Sequence, residues 1–166
     1  QMYNAGVTTL PVLSIVALFT GMVLALQTGI EMKQYHMEEQ IGNLVMASLT
    51  REMGPFTAAI ILTAAVGSAM ATEIGTMTIS DEIDALEIMS ISPAEFLMMP
   101  RIVALAIMVP VATVYTNVVG AIGGAIVAQS HLNVSFDTFY HHALQSLWFK
   151  ATYVGLLKAM VFGLCI

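Results

Sequence analysis

The chain has 166 residues, of which 58% are hydrophobic and 10% charged, with a formal net charge of −6 and a mean hydropathy of +0.84. Soluble domains carry about 25% charged residues, so this composition describes an integral membrane protein, and its five basic residues are too few for the footprint that nucleic acid requires. The single cysteine, Cys165, excludes an internal disulfide and a cysteine metal cluster.

Residues 1–30 contain no charged side chain, and Leu10 to Leu26 is almost entirely apolar, which predicts a first spanning helix ending near Ile30. Glu31, Lys33, His36, Glu38 and Glu39 then predict a short wet turn. A second apolar stretch, Ile41 to Thr72, is interrupted by Arg51 and Glu52, with Gly54-Pro55 just beyond them. As one helix it would measure about 48 Å against a hydrocarbon core of about 30 Å, so it must tilt, break at Gly54-Pro55 or project outside. Within its second half Gly67, Ala71 and Gly75 repeat at intervals of four, a face suited to close helix contact.

The polar segment from Glu73 to Arg101 holds six of the eleven acidic residues: Glu73, Asp81, Glu82, Asp84, Glu87 and Glu95. Thr78 with Asp81 three residues on reads as a capping box, and Asp81 and Glu82 suit the first turn of a helix starting near Ser80. Ile79, Ile83, Leu86 and Met89 recur at helical spacing while Asp81, Glu82, Asp84 and Glu87 fill most of the remaining arc, which predicts an amphipathic helix stopped by Ser92-Pro93. A rod of roughly 15 Å lies beside a membrane and cannot span it.

Ile102 to Ser130 has no charged or histidine side chain and predicts the third spanning helix, kinked at Pro110, with Gly120 and Gly124 as a second close-packing face. His131 to Lys150 is mixed, with Asp137, His141, His142 and Trp148, and suits an interfacial segment anchored by Trp148. A fourth membrane helix follows from about Trp148 and carries Lys158. The expected class is therefore an all-α polytopic bundle with four membrane helices and one short amphipathic helix between the second and third. Starting at Gln1 and running to Ile166 within apolar sequence, the chain reads as part of a longer protein truncated at both ends. Alternation places the Ile30 to Gln40 turn and the His131 to Lys150 segment on one side and the acidic segment on the other. Arg101 beside that segment marks its side as cytoplasmic.

The run from Arg51 to Arg101 closely resembles the signature of MlaE-type permeases, the membrane subunits of lipid-transporting ABC systems associated with MCE proteins. The matching pieces are REMGP at Arg51 to Pro55, GSAMATEIGTM at Gly67 to Met77, EIDALEIM at Glu82 to Met89, and Ser92-Pro93 with Pro100-Arg101; LLKAMVFG at Leu156 to Gly163 resembles the family's next helix. The chain departs from the family pattern at Ala64 and Ala65, where Gly-Arg is usual. The resemblance implies one transmembrane permease domain over residues 1–166, with five membrane helices in the full subunit. It implies a homodimer in the bacterial inner membrane, bound to a cytoplasmic ABC ATPase that holds the ATP and to a periplasmic MCE-domain protein, with glycerophospholipid as the transported partner. No cofactor of the chain's own is implied.

The helix around Asp81, Glu82, Ile83, Asp84, Leu86, Glu87 and Met89 has two readings. It either rests its apolar face on lipid or receives motion from the ATPase as a coupling helix. Its acidic face favours the second, because interfacial helices are usually basic. Arg51, Glu52 and Lys158 are the charged residues inside otherwise apolar stretches, and such residues are candidates to face a cavity or a partner. A Glu52–Lys158 pair in a lipid cavity is one reading. Against it, counting back from Glu73 puts Glu52 about 31 Å away along a straight helix, near the far interface, which would keep the two apart. Adjacent His141 and His142 diverge on a helix and no H-E-x-x-H occurs, so no metal site is expected. No G-x-x-x-x-G-K-[ST] is present either, so an ATPase site must come from a partner. The competing class is an intramembrane enzyme acting on lipid with Glu52 or a histidine as acid/base.

Overall fold

Hydrocarbon offers no partner for peptide groups, so a buried chain must satisfy them within its own segments, and helices do this. The structure, a computed structural model, describes residues 2–37, 40–81, 83, 88–89, 93–132, 134–146 and 149–165. Among them there is no strand. The helices are α1 (Met2–Gln34), α2 (Ile41–Ser48), α3 (Gly54–Leu62), α4 (Ser68–Ile79), α5 (Pro93–Leu132), α6 (Phe136–Ser146) and α7 (Phe149–Cys165). Two π-helical turns, Leu49–Met53 and Thr63–Gly67, join α2 to α3 and α3 to α4. Three described stretches are long and apolar enough to cross a membrane, Thr9–Gln34, Ile41–Ile79 and Met99–Leu132, and α7 adds a shorter apolar helix, Thr152–Cys165. The class is thus all-α and polytopic.

The second span does not break at Gly54-Pro55. Instead the chain widens just before it: the Gly54 N–H reaches the Leu49 carbonyl, five residues back. Proline has no N–H and its ring crowds the carbonyl four residues earlier, and a wider turn relieves that crowding while the helix continues.

The polar segment corrects a second expectation. Thr78 is not an N-cap, because its hydroxyl donates to the Ile74 carbonyl at 2.9 Å inside α4. Ser80 ends α4, returning its N–H and hydroxyl to Thr76, and Asp81 takes a left-handed φ of 54°. Asp81 is therefore a helix stop, a conformation that aspartate tolerates, and not a first-turn residue. Of the expected amphipathic helix, Glu82, Asp84, Leu86 and Glu87 lie outside the described residues, while Ile83 is half-buried and Met89 exposed. Trp148, Glu38 and Glu39 also lie outside them. α5 opens at Pro93, where a missing N–H is harmless, nine residues before the expected Ile102.

Two apolar clusters hold the bundle. In one, Ile41, Val45 and Leu49 meet Ala125, Ala128 and Leu132 of α5 and Phe139 of α6. In the other, Ala59 and Leu62 of α3 meet Val109 of α5 and Ala159 of α7. α1 lies directly on α5, since a Cβ on Gly21 would strike the Gly120 carbonyl and one on Gly123 the Leu18 carbonyl. The hydroxyls of Thr20, Thr50 and Thr63 turn back on their own helices, to Val16, Met46 and Ala59, while those of Ser14 and Tyr115 meet across α1 and α5 at 2.7 Å. The Thr63–Gly67 turn and α4 bury none of their residues within the chain.

Candidate functional site

The π turn decides where Arg51 and Glu52 stand. Depth counted along a straight helix sets Glu52 apart from Lys158, and the structure corrects this: the span stays unbroken, yet the Lys158 Nζ lies 2.5 Å from Glu52 Oε1 and also donates to the Arg51 carbonyl at 3.3 Å. That carbonyl sits four residues before Pro55 and is the one a proline leaves without a donor. Gly155, three residues before Lys158, makes the approach possible: a Cβ there would run into the Thr50 carbonyl. The backbone of α7 therefore presses on the widened turn and delivers the ammonium to it. Sequence reading singled out Lys158 but not Gly155, whose only signal was a glycine within an apolar helix.

The pair is not sealed. Lys158 keeps 40% of its side chain exposed and Glu52 64%. Arg51 is exposed beside them, and its side chain makes no ion pair among the described residues. Next to Lys158, α7 carries an apolar groove of about 270 Å³ lined by Tyr153, Val154, Leu157, Val161 and Phe162. The arrangement offers one matched ion pair, one further cation and an apolar trough. Glu52 is already engaged by an ammonium, which weakens the case for it as a free acid/base.

A second ionic contact was not singled out from the sequence. Arg101 Nη2 donates to Glu73 Oε2 at 2.7 Å, joining α4 to α5 across the acidic segment. Arg101 is 13% exposed and its Nη1 is buried with no hydrogen-bond partner among the described residues. Both residues stand in the permease-like motifs, which was the available signal.

The two small-residue faces behave differently. Gly120 meets Leu49 and the Ala17 carbonyl, and Gly124 meets Val45, Phe139 and the Gly21 carbonyl, so this face packs inside the chain. Gly67 and Gly75 have open space beside them and Ala71 is exposed. His141 and His142 stack edge to face with ring centres 6.0 Å apart, and among the described residues no three His, Cys, Asp or Glu side chains come together as a metal set.

A probable ABC transporter permease protein of Rickettsia typhi is 36% identical over all of this chain, and the intermembrane phospholipid transport system permease protein MlaE of Haemophilus influenzae is 32% identical over all of it. The chain spans 64% of the length of each. The chloroplastic protein TRIGALACTOSYLDIACYLGLYCEROL 1 of Arabidopsis thaliana is 26% identical over 98% of this chain and 47% of its own length. Residues 1–166 match the family described as Permease MlaE from end to end, and the chain belongs to that family.

Proposed function

We propose that this chain is the membrane domain of a permease subunit in an ABC transporter that moves glycerophospholipid between the bacterial inner membrane and the outer envelope. In this reading it works as a homodimer, receives energy from a separate cytoplasmic ATPase, and passes lipid to a periplasmic MCE-domain protein. The observation that carries the reading is the Glu52–Lys158 pair beside an apolar groove. A diacyl lipid needs a trough for a chain and polar points for its head. Arg51 is the cation left to meet a phosphate, Glu52 meets a headgroup amine when one is present, and the groove from Tyr153 to Phe162 receives an acyl chain.

Energy enters at the acidic segment. Asp81, Glu82 and Glu87 dock on the ATPase, and the Glu73–Arg101 contact ties the ends of that segment to α4 and α5, so a push on it moves both. α4 continues through α3 to the π turn, which bears the ionic site.

The test is reconstitution of the full-length permease with its ATPase in vesicles holding labelled phospholipid. Transfer of unaltered lipid that requires ATP supports the reading. Lipid chemically altered by the permease alone makes it an enzyme instead, and ATP hydrolysis indifferent to the permease removes the transport role.

A further inference from the structure

α5 buries three neighbouring polar side chains, Thr113, Thr116 and Asn117. Two are self-sufficient, because the hydroxyls of Thr113 and Thr116 donate to the Val109 and Ala112 carbonyls one turn back, at 2.8 and 2.7 Å. Asn117 is not. It is 9% exposed, and its Oδ1 has no hydrogen-bond partner among the described residues. An amide oxygen kept from donors in an apolar span is costly, and its persistence asks for a reason.

What the oxygen faces is Gly54. A Cβ on Gly54 would fall on Asn117 Oδ1, and would stand 2.8 Å from the Leu49 carbonyl. The carboxamide thus occupies a notch that only glycine leaves open, its oxygen close to the place a Cβ would take. Gly54 is also the residue that closes the π turn, through its N–H to Leu49. Inside that turn lie Arg51 and Glu52. If the turn rewound to α geometry, a residue in it would swing by up to about 100° around the axis, and Glu52 would leave Lys158.

We propose that Asn117 is a positioning residue for the ionic site: seated on Gly54, it holds the Leu49–Met53 turn and thereby aims Glu52 at Lys158, touching neither. This rests on the lipid-transport reading for its activity measurement and not for its structural one.

The experiment uses the full-length permease assembled with its ATPase in vesicles. Met53→Cys, within the turn and partly exposed, reports its winding through the rate of labelling by a small water-soluble maleimide in an otherwise cysteine-free background that includes Cys165→Ser, since Cys165 is free and exposed. Asn117→Leu keeps the side-chain shape without the amide and should change that rate by about threefold or more. An unchanged rate overturns the proposal, and does so even if the protein moves no lipid, the outcome that would sink the transport reading. Asn117→Leu should lower ATP-driven transfer by about tenfold in the parent but by less than about twofold in Glu52→Ala/Lys158→Ala, where nothing remains to aim. An equal loss in both backgrounds makes Asn117 a general packing residue and overturns its positioning role. Should Asn117→Leu fail to assemble, Asn117→Ala decides the matter: it removes the carboxamide and leaves Gly54 untouched, and should change the labelling rate in the same way. An unchanged rate in that variant refutes the contact.

Discussion

Lys158 supplies the hydrogen bond that Pro55 withholds. Its Nζ is 3.3 Å from the Arg51 carbonyl while it pairs with Glu52 at 2.5 Å, so one ammonium completes both a backbone deficit and a charge balance. A lone charge at membrane depth costs about 3 kcal/mol on insertion scales, and here neither charge is alone. The two partners are nevertheless unequal, because only Lys158 serves the backbone.

That inequality can be measured. Glu52→Ala and Lys158→Ala should each reduce ATP-driven lipid transfer by about tenfold or more, with Lys158→Ala the worse, and the double alanine should be milder than either because no charge is left unmatched. Exchanging the charges should restore transfer only in part, since a glutamate at position 158 cannot donate to the Arg51 carbonyl. Normal transfer by Lys158→Ala would make it a bystander and leave Arg51 as the headgroup contact.

Glu73 and Arg101 make a different forecast. Arg101 is well buried and Glu73 is 39% exposed, so removing the carboxylate strands a guanidinium whereas removing the arginine leaves a solvated acid. Glu73→Ala should therefore destabilise more than Arg101→Ala, and the exchanged pair should recover coupling between ATP hydrolysis and transfer. Thermal unfolding of the purified complex gives the first comparison. A hydrolysis rate that stays lipid-coupled in both single variants would dismiss the clamp.

The small-residue faces separate folding from assembly. Gly120→Leu would have to push Leu49 and the α1 backbone aside and should unfold the subunit, by several degrees in Tm or outright. A Cβ at Gly67 or Gly75 meets nothing among the described residues, so Gly67→Leu and Gly75→Leu should leave the subunit folded while weakening the proposed dimer. Cross-linking through Ala71→Cys in a Cys165→Ser background in native membranes should trap dimers; monomers alone would remove the proposed dimer contact.

The acidic segment should bind its ATPase through charge. Lysine at Asp81, Glu82 and Glu87 together should release the ATPase from a permease that still folds, and the parent complex should loosen as salt is raised. Copurification measures both, and retention of the ATPase by the triple variant would end the coupling proposal.

The helical class was legible because long apolar runs in hydrocarbon admit almost nothing else, and the charges of the Glu73 to Arg101 segment mark it as outside. Arg51, Glu52 and Lys158 likewise stood out as charges within apolar sequence. Their meeting did not, because a depth counted along the chain assumes where each span enters the membrane, and the second span runs from Ile41 to Ile79, longer than the hydrocarbon is thick, with a π turn before Pro55 that rotates the residues in it. Thr78 and Asp81 misled for a related reason: a local capping pattern cannot tell the end of one helix from the start of the next. The partner of each glycine was equally invisible, since Gly54 with Asn117, Gly155 with Thr50 and Gly120 with Leu49 are contacts across long stretches of chain. Periodicity determines which face of a helix is apolar, while the approach of one helix to another is decided only when all the spans pack together.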